Sequence, residues 1–146
     1  LEEDLVDSAE YLLEDFKNQY IEDNEAVFGA VYKNFAKKYK YETSYKEALK
    51  RSKLEKKDIL MIQVTNYCPW CRKLEKRVLA DKELNAQVHK DYIPLIVNRE
   101  EKTLDKRFDT PIVPVTYIIS YKDDTKFISK PGYRSKEDFL HIIKKK

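Results

Sequence analysis

The chain has 146 residues, 42% of them hydrophobic and 12% aromatic, enough for one domain of roughly 150 residues with a sizeable core. Charged side chains make up 38% of it yet nearly cancel, to a net +3, so charge gives no reason to expect nucleic acid or a membrane surface as partner. No apolar run approaches the ~20 residues that a membrane-spanning helix needs, and two glycines in the whole chain leave little scope for a phosphate-cradling loop.

The chain starts at Leu1 and its single methionine is Met61, so it is expected to be a piece of a longer product, preceded by a secretory signal, an anchor or another domain. Its two cysteines form one C-x-x-C, Cys68 and Cys71. There is no third thiol for a structural disulfide, and the lack of a spare thiol suits oxidising surroundings, where one would mispair.

The first 25 residues carry ten acidic side chains and one basic one, Lys17. Leu5, Ala9, Leu12, Phe16 and Tyr20 recur at helical spacing and predict an amphipathic helix. Val27, Val31 and Phe35 predict a second, with Asn24 as its N-cap. The charge then reverses: residues 33–57 hold ten Lys/Arg against Glu42, Glu47 and Glu55. A solvated helix face accounts for that run; the sharper reading packs the acidic first helix near the basic third, or sets one of them against a partner. A third helix is expected from an N-cap at Ser44 to about Lys56, with Tyr45, Ala48 and Leu49 on one side.

Residues 59–64, Ile-Leu-Met-Ile-Gln-Val, read as a strand covered on both faces. The C-x-x-C follows and opens a helix from Pro69 to about Leu79, and a shorter helix covers Lys82–Lys90. Tyr92–Val97 is the next strand; Pro94 cannot donate a ladder hydrogen bond, which predicts an edge position. A helical turn near Leu104–Phe108 leads to Pro111 and Pro114. Val115–Tyr121 and Thr125–Lys130 predict a hairpin turning at Lys122–Asp124. A last helix runs from Ser135 to about Lys144, with Phe139, Leu140 and Ile143 inward.

Disulfide exchange needs a thiolate nucleophile and a second thiol within reach to resolve the mixed disulfide. A two-residue gap at a helix start meets both needs. Cys68 sits where unpaired N–H groups and the helix dipole favour negative charge, and Pro69 suits the first helical position. Thiols in such motifs are acidified. Cys71 shares a helix face with Leu74 and Val78, so Cys68 is expected to be exposed and attacking, Cys71 shielded and resolving. Arg72 and Lys73 either add positive potential near Cys68 or lie on a solvated surface. A structural zinc site would want two further ligands, and His89 and His141 form no pair. A c-type haem site needs histidine after the second cysteine, where this chain has Arg72. Neither a metal nor a cofactor is expected.

Residues 45–145 resemble the thioredoxin superfamily. They are most like a bacterial thioredoxin-like group in which the C-x-x-C is followed by Lys-Leu-Glu and Val-Leu-x-Asp, here Arg72-Lys-Leu-Glu-Lys-Arg-Val-Leu-Ala-Asp81. Tyr45-Lys-Glu-Ala-Leu49 and Lys57-Asp-Ile-Leu60 fit the same group. Ile112-Val113-Pro114-Val115-Thr116 resembles the family's cis-proline loop, and Pro131-Gly132-Tyr133 the turn before its last helix. The resemblance implies an α/β thioredoxin fold, a central mixed sheet flanked by helices, over residues 45–146, with residues 1–44 as a helical extension packed on the domain or on a partner. It implies thiol–disulfide exchange by Cys68 and Cys71, with Tyr67, Pro69, Trp70, Val113 and Pro114 facing the substrate.

There are departures. Many thioredoxins have Trp before the first cysteine and Gly-Pro between the two; this chain has Tyr67, Pro69 and Trp70. The family's buried aspartate maps close to Ile62, so Cys71 needs another proton acceptor, such as water. Pro-aromatic between the cysteines is similar to glutaredoxins, but their downstream glycine pair and aspartate are absent, so no glutathione site is expected. The expected partners are protein substrates bearing disulfides or thiols and a redox partner protein. The preferred direction is reduction of protein disulfides in the periplasm or another exported compartment. Oxidase or isomerase activity is the alternative, and a partner-binding module with secondary thiols is the alternative of another class.

Overall fold

A computed structural model describes residues 31–144. The acidic first helix, Val27 and the Asn24 cap lie outside the described residues. Helix α1, Val31–Tyr39, buries Tyr32 and Ala36, four apart. Phe35 is only half-buried, so the inward stripe runs one residue beyond the expected one. Phe35 instead packs its ring on Tyr39 and Tyr41 at the end of the helix. Lys40, with φ 60, ends α1 by letting the Tyr41 amide reach back to the Ala36 carbonyl.

Helix α2, Tyr45–Glu55, begins where the Ser44 hydroxyl accepts from the Glu47 amide at 3.3 Å and ends at left-handed Lys56. It covers one face of the sheet with Ala48, flanked by half-buried Tyr45 and Leu49. Strand β1, Asp58–Val64, follows. The helix after it is α-helical over Pro69–Leu74 (α3) and widens to a π-helical turn over Glu75–Leu79. Helix α4, Lys82–Asp91, is capped by Asp81, and strand β2 spans Tyr92–Asn98. Single 3-10 turns at Arg99–Glu101 and Lys106–Phe108 interrupt the path to β3, Val115–Ile119. Strand β4, Phe127–Pro131, and α5, Lys136–Ile143, complete the described chain.

The sheet order is β2-β1-β3-β4, with β1 parallel to β2 and antiparallel to β3. The central place of β1 explains its unbroken apolar sequence. Leu60, Ile62 and Val64 face one core, with α1, α3, α4 and α5; Ile59 and Met61 face the other, with Ala48 and Phe108. Each such side chain contributes about 1.5–3 kcal/mol by leaving water.

Strand β2 takes the sheet edge that Pro94 predicted. Its outer side is nevertheless touched once: the Glu42 amide donates to the Pro94 carbonyl and the Ile96 amide to the Glu42 carbonyl, both at 2.9 Å. The Pro94 nitrogen lies on that outer side, where no ladder partner is lost. The hairpin ladder is shorter than expected at its turn end. The Ser120 amide closes the turn on the Lys126 carbonyl, and the Tyr121 amide leaves the ladder for the Asp58 carboxylate at 3.0 Å. In α5, Phe139 and Ile143 are buried and Leu140 half-buried.

Candidate thiol–disulfide site

The site starts where β1 runs out. Residues 65–67 turn the chain, and Cys68 caps α3 with its sulfur accepting from the Cys71 amide at 3.1 Å. Pro69 takes the first helical position, where its missing N–H costs nothing. Cys68 and Cys71 are joined as a disulfide with Cα atoms 5.1 Å apart. Cys71 is fully buried, on one face with Leu74 and Val78.

Cys68 is not the exposed residue expected from its place at a helix end: it is 8% exposed. Its sulfur turns inward to the Cys71 amide and lies 3.8 Å from the Val113 carbonyl oxygen, beneath the loop that carries Pro114. The Val113–Pro114 bond is cis. Of the pair, only Cys68 keeps contact with solvent.

Around that small opening the surface is apolar. Tyr67, Trp70 and Ile112 are three of the five large hydrophobic side chains exposed among the described residues. A groove of about 410 Å³ is lined by Trp70, Ile112, Val113, Pro114, Gly132 and Tyr133. Its two loops are joined by the Gly132 amide on the Pro114 carbonyl at 2.8 Å. Gly132 has φ +91 there, a conformation costly for any side chain. Trp70 is held between the Tyr133 ring, 5.5 Å away, and the Lys73 ammonium, 4.2 Å above its face. The structure thus brings Trp70, Val113 and Pro114 together, with Tyr67 exposed beside Cys68 and Pro69 confined to the helix start. Ile112 and Tyr133 are added; both stand in the loop motifs of the sequence, but nothing local says that they meet.

One charged residue departs from expectation, and its partner carried none. Arg72 is neither a solvated cation nor a free source of positive potential. It is 7% exposed and pairs with Glu75, 4% exposed, through two contacts, Nε to Oε2 and Nη2 to Oε1. Its Nη1 donates to the Asn66 carbonyl at 3.0 Å, and the Asn66 side chain accepts from Asn98 Nδ2 at 2.8 Å. The loop before Cys68 is thereby tied to the helix after Cys71 and to the end of β2. Glu75 lies one turn beyond Cys71. Its signal in the sequence is that i+4 spacing, which puts a carboxylate on the side of the helix that carries the buried thiol. Ile62 is fully buried and apolar, so β1 supplies no acid at that position.

Among the described residues, no group of three or more His, Cys, Asp or Glu is arranged to hold a metal ion. The His89 ring is engaged by the Tyr39 carbonyl at 2.9 Å. No helix among the described residues is long and apolar enough to cross a membrane.

A thioredoxin-like domain family matches residues 45–146. A search of curated proteins finds no match. Among solved structures, a thioredoxin from Thermus thermophilus superposes with a TM-score of 0.58 at 17% identity, covering 70% of this chain and 83% of that one. A disulphide isomerase from Xylella fastidiosa gives a TM-score of 0.53 at 17% identity, covering 67% and 84%. The C-terminal domain of DsbD from Neisseria meningitidis, in its oxidised form, gives 0.58 at 13% identity, covering 70% and 95%. These likenesses carry the fold. With the family match over residues 45–146 and the disulfide-forming C-x-x-C at the head of α3, the chain belongs to the thioredoxin-like domain family and is a thiol–disulfide oxidoreductase.

Proposed function

We propose that Cys68 is the attacking thiolate, that Cys71 resolves, and that the enzyme reduces disulfides of exported proteins. The observation that carries the assignment is the difference in access: Cys71 is sealed, while Cys68 keeps a small exposure next to Val113, which also lines the apolar groove. In the reduced enzyme, the Cys68 thiolate attacks one sulfur of a substrate disulfide. A Cys68–substrate bond forms and the other substrate sulfur leaves as a thiolate, which takes up a proton. Cys71 then loses its proton and attacks the Cys68 sulfur. The Cys68–Cys71 disulfide forms, the second substrate thiolate leaves, and two electrons have passed to the substrate. A redox partner protein returns the enzyme to its dithiol form.

An extended substrate segment is held by the backbone at Val113 and Pro114 and by the aromatic surface of Tyr67 and Trp70, with Pro69 shaping the helix start between them. Residues 45–146 form the catalytic domain. The described part of the preceding extension completes its core through Tyr32 and Ala36.

Electrostatics favour the reductive direction. A strongly stabilised thiolate makes a disulfide oxidising. Here the cation nearest in sequence, Arg72, is neutralised by Glu75, and no histidine stands between the cysteines. The exported compartment is supported by the confinement of both cysteines to the motif. The test is the Cys68–Cys71 reduction potential, by equilibration against glutathione or dithiothreitol. A value near or below about −250 mV supports a reductase; one near −120 to −180 mV makes it an oxidase or isomerase. Cys68→Ser should abolish turnover and Cys71→Ser should accumulate mixed disulfides. If neither happens while partner affinity persists, the domain is a binding module.

A further inference from the structure

A second cavity, of about 350 Å³, lies at the carboxyl ends of the parallel strands β1 and β2. Ligands of open α/β sheets bind outside the carboxyl ends of the strands. The floor is made by two neutral carboxamides, Gln63 and Asn98, 2% and 3% exposed. The wall comes from residues 99–109, part of the connection from β2 to β3. That connection must cross the end of β1, because β3 lies on the other side of it. Gln63 Nε2 pins this wall by donating to the Phe108 carbonyl at 2.9 Å.

From Arg99 to Asp109 the chain carries four cations and four carboxylates, so the segment is neutral in sequence. The fold sorts these charges. Arg99, Lys102 and Lys106 line the cavity, with Asp109 as the single acid. Glu101 is drawn away to α1, where it accepts from the Tyr32 hydroxyl and pairs with Lys33 at 4.0 Å. Asp105 is spent on the Arg107 amide, and Arg107 itself turns to Asp124 at 2.9 Å. Glu100 is not part of the cavity lining either, so three cations stand against one carboxylate, around a polar floor and a single apolar side chain, Leu104.

We propose that this cavity binds a small anion bearing carboxylate or phosphate groups, with Arg99, Lys102 and Lys106 as its charged contacts and the Thr103 hydroxyl as a further donor. The site is one hydrogen bond from the loop that precedes Cys68, since Asn98 donates to Asn66.

The test follows backbone amide shifts of the oxidised full chain during titration with sodium phosphate and, separately, sodium citrate. Sodium chloride holds the ionic strength constant, so general screening cancels. Saturable shifts confined to residues 98–109 are expected with at least one of the two, and the tighter one names the ligand chemistry. The double variant Lys102→Glu/Lys106→Glu changes only exposed side chains. It should weaken that binding by about tenfold or more, as expected for two partly screened ion pairs, and leave disulfide turnover unchanged. Shifts that never saturate with either anion would overturn the proposal, as would saturable binding that survives the double charge reversal.

Discussion

Replacing Glu75 with alanine tests the buried pair at its weakest joint. Arg72 and Glu75 are 7% and 4% exposed and share two contacts. Without the carboxylate the guanidinium stays in the interior, still donating to the Asn66 carbonyl. One-sided removal of a buried ion pair costs about 3–5 kcal/mol. Urea unfolding of the oxidised protein should show a loss of that size, whereas Arg72→Met/Glu75→Leu, which removes both charges, should recover most of it. The same substitution should act on the redox pair. Arg72 is one helical turn beyond Cys68, and an unneutralised charge at ~8 Å in an effective dielectric of ~20 favours a thiolate by about 2 kcal/mol. For a two-electron couple that raises the reduction potential by up to about 40 mV. Cys68 should also become alkylatable by iodoacetamide at lower pH. A variant with unchanged potential and a stability loss below about 1 kcal/mol would show that the pair is a surface contact, and the reasoning would fail.

Three further outcomes are expected. Trp70→Ala should lower kcat/KM for a protein disulfide about tenfold, the worth of an aromatic contact plus its buried area, but leave oxidised dithiothreitol almost unaffected; equal losses on both would remove the groove from substrate recognition. The hydrogen bond from Arg107 holds the Asp124 carboxyl below the usual carboxylate range. A depressed folded-state pKa stabilises at pH above the unfolded value and is lost as pH falls through the folded one. Asp124→Asn should therefore cost up to about 1 kcal/mol near neutrality, discounted for partial solvent screening, and the difference should narrow below about pH 4; a difference independent of pH would contradict the assignment. Leu74 is fully buried behind Cys71, so Leu74→Ala should cost about 2–5 kcal/mol in urea unfolding, and a loss under about 1 kcal/mol would mean that the core closes over the gap.

The fold was legible wherever the signal was local. The β1 run, the serine caps of α2 and α5, and Pro69 at the head of α3 are each written in a few adjacent residues. The site was legible in part for the same reason: a C-x-x-C between a buried strand and a helix needs no distant partner to be recognised. What stayed hidden depends on who covers whom. Arg72 and Glu75 look like any surface pair at i, i+3, and the π-helical turn that begins at Glu75 has no counterpart in the hydrophobic pattern. The cationic cavity is invisible for a sharper reason: its segment is neutral along the chain, and only packing against α1 and the hairpin turn separates the signs.

The burial of Cys68 shows how such covering becomes selectivity. A sulfur that is 8% exposed cannot be reached from every direction. The helix start occupies one side and the Val113 carbonyl another, and Val113 also lines the apolar groove, which is the approach proposed for the substrate. In-line attack on a disulfide requires the target sulfur to enter on that line. A flat or strongly charged surface therefore meets Tyr67, Trp70 and Ile112 before it meets the thiolate. An extended segment that can lie on these side chains arrives aligned. The low exposure is thus compatible with a reactive Cys68, because it trades general access for orientation.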